Sequence, residues 1–392
     1  MLFRSGDPNY YGTSYGIYKS INAGASWSLM NNSIGNRMAL QLLMDPTDHL
    51  SLIAATNNGI WKTSDGGLSW VCKRVGGQFT DMVWKANANT NTLFAATFDA
   101  VFRSDDKGET WSQITNGLTP PGSNGGQGIR LGVSPADSNI VYVAMNCDEG
   151  TIFKSTDGGV SFTTVYHNPS QSLTGYDANG GGQGNYNFSC CVDPDDPNTV
   201  YIASHVVWKS TDGGVNWTQL TQWWANLHTD MHHILVNPYN HSQLWEANDG
   251  GVWLSVNGGS SWNPKSDGII STEVYHAAQS KVREDLVSIG TQDNGELFHS
   301  LTSWKCNRGG DWGAACDFDY THNNYVYYLS ENQRRRLIPN GGTVSMNLPV
   351  QCDGNTHISF CPSDTNVAYA GRDTLCYSPN IYNGSISWGI VA

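Results

Sequence analysis

Thr63-Ser64-Asp65-Gly66-Gly67-Leu68-Ser69-Trp70 is one of six copies of an octapeptide, Ser/Thr-x-Asp/Asn-x-Gly-x-Ser/Thr-Trp/Phe, that punctuates this chain. The others begin at Ser20, Ser104, Ser155, Ser210 and Ser255, the fifth with Asn216 at its seventh position; successive copies are 43, 41, 51, 55 and 45 residues apart. A period near 45 residues is that of a supersecondary unit that buries its core only by stacking on its neighbours. The octapeptide reads as a hairpin turn. Its Asp or Asn accepts backbone N–H bonds, its Gly supplies φ > 0, and its aromatic residue packs between adjacent sheets. Degenerate relatives follow at Ser300 to Trp304 and Ser378 to Trp388.

About 20 residues ahead of most copies lies an apolar strand, an Asp-Pro-like turn and a second apolar strand, as at Asp45-Pro46, Ser134-Pro135, Asp193-Pro194, Asn237-Pro238 and Cys361-Pro362. Each unit is therefore four short strands. Four-stranded antiparallel units of this length are β-propeller blades, which hide their sheet edges by radial repetition. The predicted fold is all-β, one propeller over residues 1–392 with about eight blades (seven to nine). Residues 1–35 supply an incomplete first blade that lacks its inner strand, so the chain is either closed by a strand from elsewhere or a piece of a longer protein. The composition agrees: 43 Gly, 15 Trp and 18 Tyr, but only 14% charged residues against a usual figure of about 25%.

The octapeptides resemble the Asp-box, or BNR, repeat of sialidases, sortilin-type receptors and family 74 xyloglucanases. The resemblance covers nearly the whole chain and implies the propeller fold; in those families the box lies away from the active site. A sialidase proper is disfavoured, because that family places an Arg-Ile-Pro segment ahead of its first box, whereas the nearest match here, Arg336-Leu337-Ile338-Pro339, comes late. The xyloglucanase likeness is partial, since those enzymes pair two propellers around a cleft.

A net charge of −13 leaves no basic stripe to replace phosphate counterions, so no nucleic-acid partner is expected. No apolar run approaches the roughly 20 residues of a membrane span. Nine cysteines without a C-x-x-C pair argue against structural zinc and leave disulfides open, which favours an extracellular or cell-surface setting with the leader absent from this sequence. Five sequons decide little.

In a propeller, the loops between blades and the turns between second and third strands share one face, opposite the octapeptide hairpins, and rigid scaffolds carry their sites on such loops. Aligning the first-turn prolines puts Gln41, Arg130, Ser189, His233 and His357 at one inner-strand position. The same face collects Asp81, Asp249, Asp293 and Asp311. It also receives His228-Thr229-Asp230-Met231-His232-His233, where imidazoles and a carboxylate alternate along a strand. No cofactor is expected; Ca2+ or another divalent cation here is the alternative. Trp223, Trp224, Trp312, Tyr176 and Trp84 are candidates to stack on sugar faces.

Two functions follow. One is a glycoside hydrolase acting on polysaccharide through two of Asp230, Asp293, Asp311, Asp249 and Asp81, with Trp223, Trp224, His228, His232, His233, Trp312, Arg130 and Tyr176 as substrate contacts. The other is a non-catalytic extracellular binding, adhesion or self-assembling protein, associating through the incomplete first blade. An intracellular assembly factor, like the propellers that aid photosystem construction, is the least favoured reading.

Overall fold

The structure is a computed structural model that describes residues 2–4, 16–30, 33–35, 37–86, 91–118, 128–176, 183–222, 227–269, 272–280, 283–300, 303–308, 316–318, 326–330, 333–338, 342–346, 348–349, 357–361, 363–371, 374–382 and 386–391. Among these residues every regular element is a strand, and all strand pairing is antiparallel within one three-stranded and eight four-stranded sheets. These are β-propeller blades in chain order. The chain divides into two compact units, Met1–Asp267 and Gly268–Ala392. The first holds blades 1 to 6 (residues 2–29, 39–74, 81–114, 129–167, 189–219 and 231–264), and the second holds blades 7 to 9 (274–308, 316–345 and 357–390).

Blade 1 is the three-stranded sheet. Its middle strand, Tyr18–Ser20, ends on the first residue of an octapeptide, as the third strand Gly59–Thr63 does in blade 2. Its strands are thus the second to fourth of a blade, and no inner strand accompanies them among the described residues.

Burial explains why second strands read as apolar runs rather than alternating ones. Leu93–Ala96 and Val200–Ala203 are buried at every residue because each sheet is covered on both faces by its neighbours. Within each unit, clusters join consecutive blades: Ile53 and Ile60 of blade 2 pack on Phe79, Met82, Leu93 and Phe102, and Tyr201 and Val207 of blade 5 pack on Met231, Ile234, Leu244 and Trp262.

The octapeptide forms the expected turn. In the copy at 63–70 the Thr63 hydroxyl donates to Asp65 Oδ1 (2.7 Å) and accepts the Gly67 N–H (3.0 Å). Asp65 accepts the Ser69 N–H at Oδ1 (2.9 Å) and the Ser69 hydroxyl at Oδ2 (2.5 Å). The Ser69 donors hold the Asp65 pKa down at about 2. In the copies at 20 and 255 Asn replaces Asp, and its amide donates to Ser26 and Ser261. The fifth residue has φ between 83° and 92° in all six copies. That residue also lies against the preceding blade: a Cβ on Gly159 would sit 2.4 Å from the Phe94 ring. The copy at 378 keeps this wiring through Asn380; in the relative at 300–304, Ser300 pairs with Ser303 and Trp304 is exposed.

A further regularity lies just ahead of the octapeptide. Lys19 Nζ donates to Gly66 O (2.9 Å), Lys62 Nζ to Lys107 O (2.8 Å), and Arg103 Nη1 to Gly158 O (2.9 Å). Each cation thus caps a carbonyl in the next blade's turn, and charge-assisted bonds of this kind are stronger than neutral ones. Packing by the octapeptide aromatics is not uniform. Trp70, Phe162, Trp217 and Trp262 are buried, but Trp27 is 40% exposed, so blade packing does not account for it as it does for the others.

Candidate functional site

In the first unit the candidates separate into two groups, one on the inner strands and one on the loop face of blades 5 and 6. Gln41, Arg130, Ser189 and His233 do share a register, for each stands opposite an alanine of the second strand: Ala55, Ala144, Ala203 and Ala247. Asp81 takes the same place in blade 3, opposite Ala96, without a proline to mark it. In the second unit, His276 and His357 stand opposite Gly290 and Gly371. Directly opposed side chains share a sheet face, so a small partner leaves room for a long polar one to reach sideways.

Four of them, Gln41, Asp81, Arg130 and Ser189, stitch consecutive inner strands together. Gln41 donates to Met82 O (3.0 Å) and accepts the Met82 N–H. Asp81 Oδ2 accepts the Leu131 N–H (2.8 Å), Arg130 Nε donates to Phe188 O (2.6 Å), and Ser189 Oγ accepts the Ile234 N–H (3.1 Å). Enclosure raises the Asp81 pKa, against the pull of Arg130, the Leu131 and Met82 N–H groups and His233. Enclosure likewise lowers Arg130, against Asp81. It also lowers His233, with Arg130 acting in the same sense and Asp81 opposing, so this imidazole is neutral at pH 7.

The second group is built around Asp230, which precedes the inner strand Met231–Val236 in the left-handed region (φ 58°) and is 5% exposed. Such backbone strain persists only where the surroundings over-determine it. Here they do: Asp230 Oδ1 accepts Asn187 Nδ2–H (2.5 Å) and Gln183 Nε2–H (3.4 Å), and it lies 3.1 Å from His205 Nδ1. His205 Nε2 accepts the Gln183 N–H (2.8 Å), which places the imidazole proton on Nδ1, toward Asp230 and the Thr229 hydroxyl. Tyr176 covers this imidazole, with ring centroids 4.2 Å apart.

Beside it, His232 Nε2 lies 2.6 Å from Asp249 Oδ1, both side chains being partly open to solvent, and Tyr186 meets the His232 ring edge-on at 5.2 Å. His228 donates from Nδ1 to Thr229 O (2.9 Å) and rests on Gly250, where a Cβ would come within 2.5 Å of the ring. Asn248 links the cluster to the core by donating to His228 O (3.0 Å) and to Glu246 Oε2 (2.6 Å). Glu246 is 1% exposed, and its Oε1 has no hydrogen-bond partner among the described residues. Burial pushes its pKa up to about 9, opposed by the Asn248 amide and reinforced by Asp249, so it is a neutral acid at pH 7.

The structure thus brings Tyr176, His228, Asp230, His232 and Asp249 together and sets Asp81, Arg130 and His233 apart on the inner strands. Asp293 lies in a turn of the second unit with φ 58°. Trp223, Trp224, Asp311 and Trp312 lie outside the described residues. Trp84 sits at the far end of the strand Asp81–Trp84, its indole donating to Met44 O (2.8 Å). Sequence reasoning missed Gln183, Tyr186, Asn187, His205 and Glu246. Two signals were available: a histidine in the two-to-three turn Ser204-His205, and a lone Glu in the apolar strand Leu244–Asn248. No cluster of three or more potential metal ligands occurs among the described residues.

No protein-family model matches the chain. It is similar to a xyloglucanase of Paenibacillus sp, at 24% identity over 252 residues, covering 52% of this chain and 23% of that protein. It is also similar to a xyloglucanase of Hypocrea jecorina, at 30% identity over 163 residues, covering 38% of this chain and 15% of that protein. The matched part spans less than a quarter of these relatives' length. Among solved structures, the GH74 enzyme of Niastella koreensis aligns with 99% of this chain and 67% of its own, at 17% identity and a TM-score of 0.40. Among the described residues no helix is long and apolar enough to cross a membrane.

Proposed function

We propose that this chain is a secreted, carbohydrate-directed propeller that acts on a polysaccharide, with the loop face of blades 5 and 6 as its glycan contact. One observation carries the reading: two partly exposed tyrosines, Tyr176 and Tyr186, each pack on a histidine that meets a carboxylate. Aromatic faces backed by oriented polar groups suit sugar rings, whose C–H faces stack and whose hydroxyls need fixed partners. The likeness to proteins named xyloglucanases supports the substrate class.

In this reading Asp249 and His232 form the acid–base centre. The Asp249 carboxylate orients the imidazole through Nε2–H, which leaves Nδ1 as its basic nitrogen. Asp230 is a positioning residue: its Oδ1 already serves donors from Asn187, Gln183 and His205, so it fixes the loop that carries Tyr186. The same saturation favours a second reading, a non-catalytic glycan-binding module, because a carboxylate oxygen already serving three protein donors is committed to holding the loop. Reducing-sugar release from xyloglucan and other neutral polysaccharides separates the two. The hydrolase reading expects release that Asp249→Asn lowers by roughly 100-fold or more, with His232→Gln similarly impaired. Glycan binding without release from any substrate would refute hydrolysis and leave the binding module.

A further inference from the structure

Asn240-His241-Ser242 is one of the chain's five sequons, the motif Asn-x-Ser/Thr that accepts an N-linked oligosaccharide. Asn31 and Asn383 lie outside the described residues, and the fold separates the other three. Asn187 is 0% exposed. Its Nδ2 donates to Asp230 Oδ1 (2.5 Å), and its sequon hydroxyl, Ser189 Oγ, accepts the Ile234 N–H (3.1 Å). A sugar on that buried nitrogen would displace it and cost Asp230 a donor. Asn216 is exposed, but as the seventh residue of an octapeptide it donates from Nδ2 to Asp212 Oδ2 (2.7 Å).

Asn240 stands in the turn between the first two strands of blade 6, where blades 2, 4, 5 and 9 carry Asp48, Asp137, Asp196 and Asp364. Each of those carboxylates accepts the N–H two residues on, from Leu50 (3.0 Å), Asn139 (2.9 Å), Asn198 (3.0 Å) and Asn366 (3.1 Å). The next bond fixes the equivalence. The carbonyls of Leu50, Asn139, Asn198 and Ser242 accept the N–H of the fourth octapeptide residue, Gly66, Gly158, Gly213 and Gly258. Blade 6 alone of these five has Asn in place of Asp. Asn240 Oδ1 performs the same task, accepting the Ser242 N–H (3.3 Å) and the Ser242 hydroxyl (2.7 Å). The turn needs only that oxygen. The amide nitrogen is surplus to it, on an exposed residue, and makes no hydrogen bond among the described residues.

We propose that Asn240, and not Asn187, is an N-glycan acceptor. The step is a substitution: Asn240 Nδ2 bonds to the anomeric carbon of an oligosaccharide carried on a lipid pyrophosphate. The bond from that carbon to the pyrophosphate oxygen breaks, and the leaving pyrophosphate takes up the proton lost from Nδ2. His241 Nδ1 lies 3.2 Å from both Asp193 Oδ1 and Asp195 Oδ2 of blade 5, which ties down the middle of the sequon and leaves Asn240 and Ser242 exposed on either side. Tyr239 beside them is 96% exposed, an apolar ring that the first sugars would cover. Cys376 is disulfide-bonded, as in chains that pass through the oxidising compartments where N-linked transfer takes place. The glycan stands on the octapeptide side of blade 6, opposite the loop face, and leaves the cluster around Asp230 and His232 open. The modification requires the secretion proposed above but not the activity.

Secretion of the full chain from yeast behind a cleavable leader, with peptide mass spectrometry before and after removal of N-glycans, tests this. The expected result is a glycan on Asn240 and none on Asn187 in the folded, secreted protein. Asn240→Asp, which restores the residue of the other blades and so keeps the turn, should remove one step of the gel shift. Ser242→Ala should remove the same step, because it leaves the Asn240 amide in place but takes away the hydroxyl of the sequon. An empty Asn240, or a gel shift that Asn240→Asp leaves intact, overturns the proposal. So does a glycan on Asn187 in protein that circular dichroism shows to be folded. Because the leader is supplied, an empty Asn240 counts against the acceptor and not against secretion, and sugar release from polysaccharide is read separately.

Discussion

Replacing Glu246 with Gln should stabilise the protein, and by an amount that depends on pH. The residue is 1% exposed, one carboxyl oxygen meets the Asn248 amide and the other has no partner among the described residues. Its pKa rises from an unfolded value of 4.5 to about 9 in the fold, with burial the main cause. Between those values the folded state holds a proton that the unfolded state releases, so stability falls as pH rises. Below about pH 4.5 the penalty is absent. At one pKa unit per 1.36 kcal/mol it grows to on the order of 3 kcal/mol at pH 7 and 6 kcal/mol above pH 9. Gln keeps the carbonyl that accepts from Asn248 and does not ionise, so it escapes the penalty. Urea denaturation followed by tryptophan fluorescence, for both proteins at pH 4.5 and pH 8, should show curves that nearly coincide at the lower pH. At the higher pH the variant should lead by about 4 to 5 kcal/mol. A gap of the same size at both pH values, or a variant that is less stable at pH 8, would refute a neutral Glu246.

The turn and its latch are also testable. Gly159→Ala places a Cβ 2.4 Å from the Phe94 ring at φ 83°, and should destabilise by about 2–5 kcal/mol through strain and overpacking together. Gly158→Ala, where the Cβ meets the flexible end of Lys85, should cost only about 1 kcal/mol by the same denaturation assay. Arg103→Met removes the cap on Gly158 O and the guanidinium near the Phe94 ring, and should lower stability by about 1–3 kcal/mol. Equal effects from the two glycine substitutions would show that φ alone, not contact with the preceding blade, governs the turn.

Local regularities made the blades legible. The octapeptide encodes its own hydrogen bonds within eight residues, so Ser, Asp and Gly at fixed offsets announce the turn wherever they occur. The inner-strand register was likewise readable from the prolines, but only where one was present; Asp81 took its place among those positions through its pairing with Ala96. The partners of these side chains were not readable, because a bond from Gln41 to Met82 or from Ser189 to Ile234 joins residues more than forty positions apart.

The candidate site divides in the same way. The run from His228 to His233 advertised itself as a cluster of titratable groups, yet its members part company: His232 meets Asp249, Asp230 meets His205, and His233 lies with Asp81 and Arg130 on the inner strands. Sequence by itself determined what is local, namely the turns, the blade length and the alternation that puts polar groups on inner strands. Only the tertiary structure decided which carboxylate is saturated and which acid is neutral. The physical reason is that burial and hydrogen-bond satisfaction are properties of neighbours brought together from separate blades, and no single repeat contains them.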